Sequence, residues 1–273
     1  MSAAPGRSQA SSHRSPQGEG TPMSAAWDSL RDELARWGDA GRVAEFWWRD
    51  DDAGQPAPAL TRLLALAQTT QVPLALAVIA QDAAAALVAA PGEWVSILQH
   101  GCDHRNRAGS GEKKTEFPAA EPVPQALARL AQGRASIAGP CSLPVLVPPW
   151  NRVSSPGLLL QLGQSGYQGL SRFGPRGDAS LVPGVVQVNT HVDIIDWQGT
   201  RGFVGEDAAL AAAVAHLQAR RDGRVDADEA TGVLSHHAVH DEASWTFLAR
   251  LFERTQGLAA VRWRSAGALF AAA

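Results

Sequence analysis

The sequence predicts an α/β fold and, within that class, a (β/α) barrel. Three observations carry this. Short β-prone apolar runs alternate with helical repeats along most of the chain, the pattern of a parallel sheet with helical crossovers. The length, 273 residues, suits one α/β barrel. The residues that carry chemistry fall just after the strand runs, the end at which such barrels build their sites.

The elements follow in order. Residues 1–25 are rich in Ser, Pro, Gly and Ala without apolar periodicity, which predicts a disordered tail ahead of one catalytic domain over residues 26–273. Trp27, Leu30, Leu34 and Trp37 recur at helical spacing. A strand is expected over 43–48, ending at a cluster of acids. A helix follows over 57–68, with Leu60, Leu63, Leu64 and Ala67 on one face. Next come a buried strand over 74–79, an alanine-rich helix over 81–89 and a strand over 94–98 that ends at His100. A helix over 124–138 turns Leu127 and Leu130 inward. A strand over 145–147 closes on Pro148-Pro149-Trp150, and 157–163 opens another helix. Leu170 and 185–188 read as strand ends, 208–221 as a helix, and 232–234 as a strand ending in His236-His237. A helix over 245–256 and a strand over 260–263 complete the chain.

Composition narrows the function. Apolar residues make up 45 % and charged residues 19 %, as in ordinary globular proteins. A formal net charge of −3 and the lack of a long basic run argue against nucleic acid as a partner. No apolar run reaches the roughly 20 residues that span a bilayer, and no basic-then-apolar leader opens the chain. The expectation is a cytoplasmic enzyme, which favours an intracellular small molecule or precursor over a finished cell wall. The two cysteines, Cys102 and Cys141, form no CxxC pair and read as reduced thiols. A chain this long needs no metal staple, so any metal is expected to be functional.

Five segments carry the chemistry. His100 and His104 are four apart, and on a helical turn such a pair presents both imidazoles to one side. Imidazoles suit a borderline metal such as zinc. Asp50, Asp51 and Asp52 follow Phe46-Trp47-Trp48, and three adjacent carboxylates call for a cation or arginines. Pro148-Pro149 stiffens a turn, and Trp150 offers a flat wall that suits a sugar face. Asp193 and Asp196 lie among Ile194, Ile195 and Trp197, with Arg152, Arg172 and Arg201 as available partners. Three histidines within five positions, His236, His237 and His240, follow a strand and make a general acid plausible. The charged loop Gly111-Glu112-Lys113-Lys114 reads as solvated, at a point from which it can cover the site.

In this order the segments resemble the polysaccharide deacetylase (NodB-homology) family of carbohydrate esterases. The family's five motifs are a paired Asp, HxxxH, Arg-x-Pro-aromatic, DxxDW and Leu-x-His. They correspond to Asp51-Asp52, His100 to His104, Pro149-Trp150, Asp193 to Trp197, and Leu234-Ser235-His236, within residues 43–263. The resemblance implies a distorted (β/α) barrel of about seven strands that removes an acetyl group from an N-acetylated saccharide or its precursor, a small-molecule or oligosaccharide substrate. Deformylation, hydrolysis of another amide, and saccharide binding without turnover are the alternatives.

It further implies Asp51 as general base, Asp52, His100 and His104 as ligands of a divalent metal, and His236 as general acid. Trp150, Asp193, Asp196 and Arg152 would bind or orient the substrate. The metal would be Zn2+, with Co2+, Ni2+ or Fe2+ fitting the same ligands. The chain departs from the family in three places. Trp48-Arg49-Asp50-Asp51-Asp52 leaves the pair as Asp50-Asp51 or Asp51-Asp52. Val147 stands where the third motif has arginine, with Arg152 as a substitute, and His237 competes with His236.

Overall fold

The computed structural model describes Met1 and residues 24–177 and 182–271. Nearly all of the tail expected over residues 1–25 therefore lies outside the described residues. The chain opens with α1 (Ala25–Asp39), followed by β1 (Ala44–Ala53), α2 (Pro58–Thr70), β2 (Leu74–Val78), α3 (Ala85–Ala89) and β3 (Val95–His100). Then come α4 (Val123–Ser136), β4 (Ser142–Val147), α5 (Pro156–Gln161), β5 (Gly169–Leu170), β6 (Val186–Gln187) and β7 (Val192–Asp193). The last elements are α6 (Glu206–Arg221), β8 (Thr231–Ser235), α7 (Glu242–Thr255), β9 (Val261–Trp263) and α8 (Ala266–Phe270).

The strands form one curled parallel sheet in the order β6-β5-β4-β3-β2-β1-β8-β7, with β9 beside the start of β1. β6 and β7 are successive pieces of one stretch. Val186 and Val188 bond to the β5 side, and His191 and Ile194 bond to Gly232 and Leu234 on the β8 side. That stretch bridges the two edges of the curl. Of the eight strands along the order, two thus share one stave, which reconciles the count with the expected seven. The result is a distorted (β/α) barrel. Among the described residues, no helix is long and apolar enough to cross a membrane.

Side-chain alternation divides the strands between two cores. Phe46, Trp48, Leu74, Leu76 and Val78 pack outward under the helices. Trp47, Ala75, Ala77, Leu98, Val145 and Val147 fill the inside together with Phe270 of α8. Two glycines make room for these rings. A Cβ at Gly232 would lie 2.5 Å from Trp47 Nε1, and one at Gly169 would lie 2.5 Å from Phe270 Cδ1.

Three elements differ from expectation. β1 does not stop at Trp48 but runs through the acids to Ala53, so the triplet is strand and not turn. The helix expected over 81–89 is broken into a 3-10 turn (Ala80–Asp82) and the short α3. α8 and β7 are too short to show a period in sequence.

A buried cluster pins the bridging stretch. Asn189 N–H donates to Glu229 Oε1 (2.9 Å), Gly232 N–H donates to His191 Nδ1 (3.0 Å), and His216 Nδ1 meets Thr231 Oγ1 (3.0 Å). The His191 and His216 rings stack at 3.4 Å. Although His191, His216 and Glu229 lie within metal-ligating reach of one another, they do not suit a metal. His191 Nδ1 already accepts the Gly232 N–H hydrogen bond, so in the neutral ring its Nε2 carries the proton and faces Glu229.

Burial, with His191 and Arg220 nearby, pushes His216 down to about 2, and burial lowers His191 as well. In the unfolded chain a histidine titrates near 6.5. Between these values the unfolded state binds protons that the folded state refuses. The cluster's stability is therefore complete above about pH 6.5 and is lost progressively on acidification. Urea midpoints measured from pH 7.5 to 5 should fall more steeply for the wild type than for His216→Gln. Parallel slopes would contradict this account.

Candidate active site

Strand alternation places Arg49 and Asp51 on the inner face of β1 and Asp50 on the outer face. Arg49 is fully buried. Its Nε and Nη2 donate to the two oxygens of Asp51 (2.8 and 2.9 Å). Nη1 donates to Ser171 Oγ (2.6 Å) and Arg172 O (3.2 Å), and Nη2 also donates to Asn151 Oδ1 (2.7 Å). All five donors are thereby used. One arginine ties β1 to the turns after β4 and β5 and fixes Asp51 beneath the mouth.

Asp50 is sealed on the other side. It accepts from Ser235 Oγ (2.6 Å) and from His237 N–H (3.0 Å), with His237 Nδ1 at 2.5 Å. Trp48 Nε1 holds Ser235 in turn (2.8 Å).

Asp52 breaks the alternation. The register of β1 slips between Asp50 and Ala53, and Asp52 takes φ 69°, a left-handed bulge that re-aims the side chain. Its Oδ1 lies 3.0 Å from His100 Nε2 and 3.2 Å from His104 Nε2. Burial raises the Asp52 carboxyl, but the hydrogen bonds of His100 and His104 and the charges of His100 and His236 outweigh it and hold the group well below the usual range. His100 Nδ1 lies 3.0 Å from Val147 O. With Nδ1 donating its N–H there, loss of the Nε2 proton would free that nitrogen's lone pair for a metal, as in ligating histidines whose other ring nitrogen is held by a carbonyl.

The two histidines do not share a helical turn. His100 ends β3, and His104 sits in an irregular loop at φ 53°. Buried Glu116 holds that loop. It accepts from Cys102 N–H (2.9 Å) and Arg129 Nη1 (2.9 Å), and a Cβ at Gly101 would lie 2.1 Å from its Oε2. Burial and the Glu116 charge raise Cys102 well above the usual thiol range, which makes it an inert wall.

The other predicted residues separate. Trp150 lies against His104, ring to ring at 4.5 Å. It and Asn151 both have φ 55°, an outlying conformation for a bulky residue and of the kind that gathers at functional sites. His236 meets Trp197 edge-on at 4.7 Å, and its buried Nδ1 has no hydrogen-bond partner among the described residues. Asp193 accepts from Ile195 N–H (3.0 Å) and Trp197 Nε1 (2.9 Å), and burial raises its carboxyl. Asp196 instead braces its own turn through Gly199 and Thr200 N–H. Arg152 turns away to Lys114 O (2.8 Å), and the arginine on Asp51 is Arg49. Sequence reasoning passed over Arg49, Asn151, Ser171 and Glu116. The i, i+2 spacing of Arg49 and Asp51 was the available signal.

No family model matches the chain, and no curated protein does either. Solved structures do. A provisionally designated polysaccharide deacetylase from Mycobacterium smegmatis superposes with TM-score 0.58 at 14% identity, over 84% of this chain and 90% of that one. The chain has the polysaccharide deacetylase fold. The peptidoglycan N-acetylglucosamine deacetylase Bc1960 matches with TM-score 0.50 at 16% identity (85% and 90% covered). A Streptococcus mutans CE4 esterase matches with TM-score 0.50 at 11% identity (83% and 87%). On this deacetylase fold the acids, the two histidines and His236 all stand at C-terminal strand ends, the face where (β/α) barrels place their sites.

Removing Arg49 leaves Asp51 buried and unpaired. Arg49→Met should cost about 3–5 kcal/mol in urea unfolding, and Arg49→Met with Asp51→Leu should recover most of that loss. A single-variant cost below about 1 kcal/mol, the value of an exposed pair, would contradict the assignment.

Proposed function

We propose that the protein is a metal-dependent hydrolase that removes an acetyl group from an N-acetylated saccharide or saccharide precursor. The observation that carries this is the convergence of Asp52, His100 and His104 beside Asp51, with His236 also at the mouth. One carboxylate and two imidazoles, with His100 oriented by Val147 O, fit a divalent cation. Zinc suits the set, as do cobalt, nickel and iron. Such a cation polarises the acyl carbonyl and acidifies water.

The chain's own residues supply the rest. Arg49 orients Asp51 by occupying one edge of its carboxylate, and Asp51 serves as the base that takes a proton from the attacking water. His236 hands a proton to the leaving nitrogen. Asp193, buried near it and held by Trp197 Nε1, sets its carboxyl charge beside that imidazole. Trp150 on His104 and Trp197 on His236 form two walls whose faces suit the apolar side of a sugar. Two of the three structures compared above carry deacetylase in their names, one of them for N-acetylglucosamine in peptidoglycan.

The test is hydrolysis of an N-acetylglucosamine oligosaccharide. Asp51→Asn should lower kcat by about 10²–10⁴-fold while metal stays bound. Asp52→Ala should lose both activity and metal. Unchanged hydrolysis in both variants would overturn the reading.

A further inference from the structure

One side of the barrel mouth carries two basic side chains, Lys114 and Arg152, that form no ion pair among the described residues, although the whole chain has a formal net charge of −3. The segment 115–117 runs beside 152–154. Thr115 Oγ1 donates to Arg152 O (3.0 Å), and Ser154 N–H donates to Phe117 O (2.9 Å). This pairing sets Lys114 next to Arg152, whose Nη1 donates to Lys114 O at 2.8 Å. Lys114 is exposed and Arg152 half-buried.

The carboxylates of this rim are already committed. Asp103 is bridged to Arg107 (2.7 Å), Glu112 accepts from Gly109 N–H (2.9 Å), and Glu116 is buried on Arg129 and the Cys102 amide. Among the described residues, neither Lys114 nor Arg152 meets an acid. Arg152 spends one nitrogen on a backbone carbonyl, which anchors the guanidinium and leaves its Nε and Nη2 for a ligand. Two residues before it stands Trp150, whose ring lies on His104.

We infer that the substrate carries an anionic group, a phosphate or a carboxylate, which seats on Arg152 and Lys114 while its N-acyl sugar lies against Trp150. This rests on the deacetylase reading of the same mouth and deepens it. A guanidinium with a free edge pairs with two oxygens of an oxyanion, and a neighbouring ammonium adds a point charge. At this exposure each contact is modest and screened by salt, so the two together give a preference of about tenfold.

Equilibrium binding to the metal-loaded protein, followed by calorimetry, tests the inference with three probes: N-acetylglucosamine, its 1-phosphate and its uronate. The anionic probes should bind about tenfold more tightly than the neutral one. That ratio should shrink at high salt and fall to near one in Arg152→Gln with Lys114→Gln. Whether the phosphate or the uronate gains more identifies the source of the anion. Equal binding of all three by the wild type would overturn the inference. So would a preference that survives in the double variant, which would put the anion elsewhere, as on the metal. Because the readout is binding, a preference that collapses in the variant without any amide hydrolysis would sink the deacetylase reading and leave the anion site standing.

Discussion

The buried pair of Arg49 and Asp51 is the interaction on which the site depends. Two opposite charges inside a barrel are costly to desolvate, and they are tolerated only when every donor finds an acceptor. Here Arg49 reaches Asp51, Asn151, Ser171 and the Arg172 carbonyl. The same bonds that satisfy the guanidinium draw the turns after β4 and β5 against β1. One side chain therefore sets both Asp51 and the wall of the mouth. Val147, which lacks the arginine of the third family motif, contributes through its backbone, since its carbonyl meets His100.

Around that pair the backbone is bent where chemistry is wanted. Asp52, His104, Trp150 and Asn151 all have positive φ. Each costs something locally, and each is held by a partner: His100 and His104 on Asp52, Trp150 against His104, and Arg49 on Asn151. The bulge at Asp52 matters most. On a regular strand Asp52 would share the outer face of Asp50, whose oxygens are taken by Ser235 and His237. The slip between Asp50 and Ala53 turns it to the imidazoles.

Much of this was legible in the sequence. The β-then-α rhythm and the clustering of His and Asp after strands pointed to the barrel, because a parallel sheet needs helical crossovers and such barrels use one end. What eluded the pattern depends on long-range closure. The stretch 186–193 changes neighbours midway, which no local period records. A bulge, likewise invisible to a local period, is what aims Asp52 at His100 and His104. The expected helical turn for His100 and His104 gave way to a loop because Glu116, distant in sequence, organises it through backbone amides. Arg152 was the nearer arginine to the third motif, but Arg49 shares a strand face with Asp51.

The central claim is that Asp52, His100 and His104 form a metal site. The measurement that tests it most directly is the metal content of the purified chain, wild type beside the double variant His100→Ala with His104→Ala, after addition of zinc or cobalt. The account predicts about one metal per wild-type chain, lost in the double variant while the circular dichroism spectrum is unchanged. Wild-type protein that takes up no metal, or a double variant that binds it equally well, would contradict the account.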